Sequence, residues 1–505
     1  MHPLHNTPVL VLGLGASGLA MVRWCVRHGA VVTVVDTREA PPQLTFLSAQ
    51  LPEVKFVQGE FLADLIEGSG IRAVFKSPGL TPAQVAPVLQ AAKASGLWIS
   101  GELGLFSQGL QALKEDHAYS PKVLAITGTN GKTTVTSLTG LLVERSGKSV
   151  AVAGNIGPTM LDTLTEHTDA QTLPDVWVLE LSSFQLDKVQ GFVPTMGTVL
   201  NVSQDHLDWH GNMPAYARAK ACIFGPHSPD APQMLLNRDD PAVMAMLPAP
   251  VKGKAQRHAI TFGTDAPVRP GDWGLDVVNG MAWLVKAMES DETRRRRKDD
   301  AEEVFVQRLM PADALRIRGR HNASNALAAL ALASAAGCAL APMLYGLREY
   351  RGEPHRVESV GTVREVEYFD DSKGTNVGAT AAALVGLGSE RKLVVILGGQ
   401  GKGQDFAPLA APVARYARAV VLIGQDAPLI AQALEATGVT CTSAASMPEA
   451  VALAAAQAHA GDAVIMSPAC ASFDMFKNYE HRAEVFRAAV AGLALTAGDS
   501  LEHAA

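Results

Sequence analysis

The stretch LAITGTNGKTTVT, residues 124–136, runs from apolar residues through a glycine-bearing turn into Lys-Thr-Thr. It reads as a strand, a tight loop and the start of a helix. Gly131-Lys132-Thr133 is the end of a nucleotide phosphate loop, but Ile126 stands where the eight-residue pattern has its first glycine. Ile126 belongs to the strand, so the loop begins at Thr127-Gly128 and is a shortened phosphate cradle. Backbone N–H groups of Asn130 to Thr133 would surround phosphate oxygens, Lys132 would reach the terminal phosphates, and the Thr133 hydroxyl would face Mg²⁺. The alternative is a glycine-rich turn with an exposed lysine. Lys-Thr-Thr at a helix start speaks against it.

The same strand–turn–helix rhythm extends in both directions. Upstream, PVLVLGLG is a strand, 17–28 a helix, and AVVTVVD and IRAVFKSPG are further strands, as in a parallel sheet. Gly13-Leu14-Gly15-Ala16-Ser17-Gly18 opens that helix and Asp36 ends the next strand, which is a dinucleotide fingerprint by pattern. The same geometry serves any diphosphate at a helix N-terminus, and a ligand-free tight turn remains open. KSPG, 76–79, ends a neighbouring strand at the same sheet edge. KEDHAYSPK, 114–122, reads as a linker. Downstream, residues 149–155, 176–182 and 196–203 supply strands, and 319–337 reads as an alanine-rich helix. A second junction lies near 350–356, where Gly352 and Pro354 break periodicity. KLVVILGG, AVVLIGQD and DAVIMSPA are strands of a third α/β region.

Length and composition agree with this division. The chain has 505 residues, too many for one core, with 48% hydrophobic and 18% charged residues. A formal charge of −7 argues against general binding of nucleic acid. The charged segment 287–303 holds Arg294–Arg297 among neutralising acids and reads as a solvated loop. Five scattered cysteines, none in a Cys-x-x-Cys pair, suggest a reducing compartment and no structural zinc. No secretory signal or membrane-length apolar run stands out, and the expectation is a cytoplasmic protein.

Polar residues at strand ends carry the remaining chemistry. Glu180 follows the apolar run VWVL, where a carboxylate is costly unless paired with charge or metal. His206 lies just past the next strand. Each alone is more often structural; together, beside a phosphate loop in one sheet, they suit a second Mg²⁺. In the third region the clusters YFDDSKGTNVGAT (368–380), LGGQGKGQDF (397–406) and SPACASFDMFKNYEHR (467–482) are either ordinary loops or a site for a small anionic substrate. A nicotinamide-dependent oxidoreductase using Gly13–Gly18, or a non-catalytic nucleotide-binding regulator, are rival readings.

GTNGKTT, GNIG, LELSSFQL, NVSQDHLD, RHNASNALAA, PHR, DDSKGTNVGAT, LGGQGKG and SPACASFDMFKNYEHR occur in this order from Gly128 to Arg482. In this the chain resembles the Mur ligases, and the last segments resemble their D-glutamate-adding branch. The resemblance implies three domains: 1–118 for a uridine diphosphate substrate, a central P-loop-type ATPase domain, 119–352, and a Rossmann-like C-terminal domain for the amino acid, 353–505. It implies ATP-dependent amide formation between UDP-N-acetylmuramoyl-L-alanine and D-glutamate by a monomer, with Mg²⁺. By the same resemblance, Gly128, Thr129, Asn130, Gly131, Lys132, Thr133 and Thr134 hold ATP phosphates, and Asn322, Asn325, Arg356 and Asp371 face the adenosine or orient ATP. Thr133, Glu180, His206 and Lys220 are the implied metal ligands, Lys220 as a carbamate. Lys132, Lys220 and His206 are the implied catalytic set. Ala16, Ser17, Asp36, Thr37, Arg38, Ser77, Gly79 and Asn155 fall at the UDP substrate, and Lys373, Thr375, Lys402, Ser472 and Tyr479 at D-glutamate. Phe473 and Tyr479 depart from the family's more familiar leucine and phenylalanine.

Overall fold

The computed structural model describes residues 3–226, 232–250, 257–289, 304–389 and 391–499. They form three α/β units, each around its own sheet. In the first, β1 (Pro8–Leu12), β2 (Val31–Asp36), β3 (Lys55–Gln58), β4 (Ala73–Lys76) and β5 (Trp98–Ser100) lie in the order β3-β2-β1-β4-β5, all parallel. Helices on both faces bury Val9, Leu10, Val11 and Leu12 together, which is why β1 is unbroken apolar sequence instead of alternating. The chain leaves β1 towards β2 and returns on its other side at β4. The crevice at that reversal is edged by Gly13 and Ser77. A Cβ on Gly18 would sit 2.1 Å from the Gly13 carbonyl oxygen, so the helix Ala16–Arg27 starts directly against the turn.

The expected linker at 114–122 is shorter than its composition suggests. Residues 114–117 form the last turn of the helix Glu102–His117, which ends at Ala118 in the left-handed conformation. Polar residues there are a solvated helix end, with Lys114 and His117 favourably placed at its C-terminus.

The central unit carries β6 (Lys122–Thr127), β7 (Val150–Gly154), β8 (Val176–Glu180), β9 (Met196–Val199), β10 (Gln233–Asn237), β11 (Ala259–Phe262), β12 (Trp273–Val278), β13 (Met281–Glu289) and β14 (Val304–Pro311). Their order is β14-β13-β12-β11-β10-β9-β6-β8-β7. The run β7 to β12 is parallel, and β12-β13-β14 is an antiparallel extension. The helix Lys132–Arg145 leaves β6 through the phosphate loop and packs against the helix Arg320–Ala335. The alanines of that second helix are buried, and their small side chains let the two axes approach closely. Contrary to the solvated-loop reading of 287–303, Ala287–Glu289 are strand, paired with Val304–Val306; residues 290–303, with Arg294–Arg297, lie outside the described residues.

The third unit has β15 (Glu358–Val363), β16 (Val366–Asp370), β17 (Leu393–Gly398), β18 (Ala417–Ile423), β19 (Thr440–Ser443) and β20 (Ala463–Met466), in the order β15-β16-β20-β17-β18-β19. β15 is antiparallel to β16 and the rest are parallel. The three strand-end clusters follow β16, β17 and β20, adjacent strands, so they share one edge. Among the described residues no helix is long and apolar enough to cross a membrane.

Candidate active site

The loop after β6 is shaped by Gly131, whose φ of +81° is a conformation L side chains rarely adopt. A Cβ there would also meet Asn325 Oδ1 at 2.8 Å. Lys132 curls over the loop and donates to the Gly128 and Thr129 carbonyls, both at 2.9 Å. Burial and the nearby Arg356 charge lower its pKa, against the pull of Glu180 and Asp205. The Asn130 N–H does not point into an open cradle as expected. It donates to Asn201 Oδ1 at 2.8 Å, at the end of β9. Thr129 is likewise internal: its hydroxyl bonds Ser203 and lies 3.2 Å from the Tyr216 hydroxyl. Thr134 is buried in the first helical turn.

Glu180 ends β8 beside this loop and is 2% exposed. Its Oε1 accepts from Asn155 Nδ2 at 2.8 Å, while Oε2 is buried with no hydrogen-bond partner among the described residues. Lys220 is 1% exposed, donates to the Gly128 carbonyl at 2.8 Å and stands 4.6 Å from the Tyr216 ring centre. Burial, reinforced by the Lys132 charge, holds its amine well below the usual lysine range. His206, in the left-handed conformation, lies against Phe184 and Asp205; burial is the main cause of its lowered pKa, with Lys132 and Lys220 adding to it. Lys132, Glu180, His206 and Lys220 thus form one electrostatic cluster, drawn from three strand ends and a helix.

A cavity of about 480 Å³ opens over this cluster. The third unit supplies its far wall with Arg356, Lys373, Thr375, Asn376 and Lys402. Lys373 Nζ lies 3.6 Å from the Tyr479 ring centre, and Lys402 Nζ 5.7 Å from that of Phe473. Burial lowers the Lys373 pKa, and it feels the Glu180 charge across the cavity. Ser472 is buried at the edge of this wall, next to Ala471, which lines it. Two contacts join the third unit to the phosphate loop. Arg356 Nη2 donates to Thr133 Oγ at 2.7 Å, and the Asn130 and Asn376 side-chain amides pair at 3.0 and 3.3 Å.

Behind the loop, a second cavity of about 120 Å³ is lined by Gly131, His321, Asn322, Asn325, Arg356 and Asp371. Asn325 Nδ2 donates to Asn322 Oδ1, whose own amide donates to the Arg318 carbonyl. Asp371 accepts from Ser467 Oγ at 2.6 Å, and burial raises its pKa to about 7. Asp370 instead faces away, bonded to His355 and Arg487. His355, Glu358 and Asp370 have a metal-like spacing, but the Arg487 guanidinium pairs with both carboxylates and already supplies the positive charge.

At the edge of the first sheet, Asp36 is 2% exposed and its carboxylate is spent internally, on the Leu14 N–H at 2.7 Å and on Arg38. It shapes the turn instead of offering a free acceptor. Ser77 Oγ donates to the Gly13 carbonyl, and the Ser17 hydroxyl lies beside Glu102. The Arg38 side chain is half exposed at this edge, which Ala16, Thr37 and Gly79 also occupy, just past the ends of β1, β2 and β4.

The sequence matches three family models over the units just described: Mur ligase MurD-like N-terminal domain at 7–101, Mur ligase middle domain at 126–333, and Mur ligase glutamate ligase domain at 355–470. A UDP-N-acetylmuramoylalanine–D-glutamate ligase of Albidiferax ferrireducens is 67% identical over the whole of both chains. The chain belongs to the Mur ligase family. A ligase of the same name from Polaromonas sp. is 58% identical, over 99% of this chain and all of the relative. Among solved structures, a MurF ligase of Thermotoga maritima in complex with ADP superposes with a TM-score of 0.57 at 15% identity, covering 98% of this chain and all of that one. This last likeness concerns the fold.

In this Mur ligase, motifs far apart in sequence meet at one cavity. Asn201, Tyr216 and Phe184 escaped the sequence reading, though each touches a residue it had singled out; Asn376 belongs to the 368–380 cluster read from the sequence, where it had no role of its own. Asn201 and Asn376 carry the polar strand-end signal that marked Glu180. Tyr216 and Phe184 carry none, because an aromatic residue in a helix reads as core.

Proposed function

We propose that this Mur ligase is an ATP-dependent amide ligase that adds D-glutamate to the alanyl carboxylate of UDP-N-acetylmuramoyl-L-alanine, as a monomer in the cytoplasm, for peptidoglycan precursor synthesis. The full-length match to ligases of that name carries the reading. The cavity supports it, because a phosphate loop on one wall faces lysines on the other. Neither membrane nor nucleic acid has a part in it. Substrates divide among 1–118 for the uridine nucleotide, 119–352 for ATP and 353–505 for the amino acid.

Within the loop Gly128–Thr134, whose shape Thr129 and the Asn130 N–H fix by their internal bonds, Gly131 to Thr134 would hold the ATP phosphates and Lys132 their terminal charge, with Asn322, Asn325, Arg356 and Asp371 around the adenosine. The orphaned Glu180 Oε2, with His206 and Thr133, fits a divalent cation better than any protein donor nearby. Magnesium bound there would offset phosphate charge during transfer. Lys220 suits carbamylation: its unprotonated amine attacks CO₂, loses a proton and becomes an anionic carbamate that adds an oxygen ligand.

The chemistry follows from the poor leaving group of a carboxylate. The substrate carboxylate takes the ATP γ-phosphoryl to give an acyl phosphate and ADP. The D-glutamate amine, held by Lys373, Thr375, Lys402, Ser472 and Tyr479, attacks the acyl carbon. The tetrahedral intermediate expels phosphate and leaves the amide. Ala16, Ser17, Thr37, Arg38, Ser77 and Gly79 would bind the uridine diphosphate through the turn Asp36 shapes, and Asn155 the muramoyl end.

Phosphate release measured while each substrate is omitted in turn tests the reading. Release should require ATP, UDP-N-acetylmuramoyl-L-alanine and D-glutamate together, with L-glutamate inactive. Release without an amino acid, or equal use of both enantiomers, would refute it. In the same assay, Lys402→Ala should raise the D-glutamate KM by about tenfold, with ATP little changed.

A further inference from the structure

Glu102 opens the helix Glu102–His117 at the contact between the first and central units and is 3% exposed. A buried carboxylate must find donors or be expelled. Burial raises its pKa, and three donors oppose that rise. Two come from the central unit: its Oε1 accepts the N–H groups of Met160 at 2.7 Å and Leu161 at 3.3 Å, in the first turn of the helix Met160–Asp169. The third is the Ser17 hydroxyl, in the first turn of the helix Ala16–Arg27 of the first unit.

Those two helices begin where the proposed substrate is gripped. Ser17 follows the Gly13–Gly15 turn at the diphosphate end. Met160 follows the loop that carries Asn155, itself bonded to Glu180 beside the phosphate loop. The flanks of the same helix pair are joined by Arg23–Asp162 at 3.3 Å, partly buried, and by Arg27–Asp169, which is exposed and therefore weak. Glu102, carried by the first unit, holds the start of the helix Met160–Asp169 by two hydrogen bonds and stands beside Ser17 at the start of the other helix, out of water.

We infer that Glu102 is a positioning residue for the reaction, setting the spacing between the turn that takes the substrate's diphosphate and the loop that takes its acyl end. This rests on the ligase reading above. A long substrate anchored at both ends presents its carboxylate to ATP only if the anchors keep their distance, and a misplacement of about 1 Å costs on the order of a hundredfold in rate. Ser17 and Asn155 belong to different units, so neither sets that distance alone.

Steady-state kinetics of the full chain test this, with each substrate varied in turn. Glu102→Met fills the same volume without an acceptor. It should raise the KM for UDP-N-acetylmuramoyl-L-alanine about tenfold and lower kcat, while the ATP KM stays within about twofold. Glu102→Gln keeps an acceptor for Met160 and a polar partner for Ser17, and should recover most of the loss. Arg27→Ala, which loosens the same helix pair at its exposed end, should leave every KM near the wild-type value. An unchanged nucleotide-substrate KM in Glu102→Met, an equal rise in the ATP KM, or failure of Glu102→Gln to recover would overturn the inference. Should Glu102→Met not fold, Glu102→Ala is read by the same criteria. A wild-type chain lacking D-glutamate-dependent phosphate release would instead refute the ligase reading.

Discussion

Lys132 holds its ammonium over the loop by two carbonyl contacts and little else. Its removal should therefore spare the fold and abolish ATP-dependent turnover; circular dichroism with a phosphate-release assay would check both, and residual wild-type activity would contradict the phosphate-loop assignment. His321 is the opposite case, a titratable group whose effect is on stability. It is half-buried beside the second cavity, with Nδ1 out of water and unpartnered among the described residues, and desolvation lowers its pKa from 6.5 to about 4. Between those values the unfolded chain binds the proton and the folded one does not, so its contribution to stability is lost as pH falls from about 6.5 to 4, by at most about 3 kcal/mol. Asp371, with its pKa raised from 3.8 to about 7, acts in the opposite direction over the whole of that range. The difference between wild type and His321→Phe is thus the informative quantity: the variant should lose less stability on acidification, as read by denaturant unfolding at pH 7 and pH 4.5.

Each proposed binding element is a strand that ends in a polar or glycine residue just where the sheet stops burying it. β6 ends at the phosphate loop, β8 at Glu180, β16 at Asp370-Asp371 and β17 at Gly398-Gly399. The loop after β6 depends on Gly131 for its left-handed turn. Gly131→Ala forces that conformation on a side chain, at about 1–2 kcal/mol, and presses a methyl group on Asn325. The variant should melt lower and show an ATP KM raised about tenfold, with D-glutamate much less affected. Such elements were legible because strands buried on both faces are continuous apolar runs, and glycine at their ends has few other uses. The antiparallel strands β13 and β14 were not. They border a segment so rich in charge that the composition reads as loop, whereas their own stability comes from pairing with β12 and with each other.

At the scale of the molecule, the third unit closes on the second through the Arg356–Thr133 and Asn130–Asn376 contacts. The amide pair adds direction to this contact at little cost, since water can satisfy both amides when the units are apart. Asn376→Ala should lower kcat by about tenfold with little change in thermal stability, and small-angle scattering with ATP present should show a more extended particle. An unchanged kcat would mean that closure does not pass through this pair. The sequence by itself determined the three α/β units, the shortened phosphate loop and the residue types of the site, because these depend on local periodicity and on what each strand end can tolerate. Only the tertiary structure decided which polar groups are free to meet a ligand. Asp36, Thr129 and the Asn130 N–H look like binding groups in the chain and prove to be bonded internally, while Glu180 Oε2 has no donor among the described residues. A hydrogen bond is satisfied by whatever the fold brings within about 3 Å, and the partners here come from remote parts of the chain.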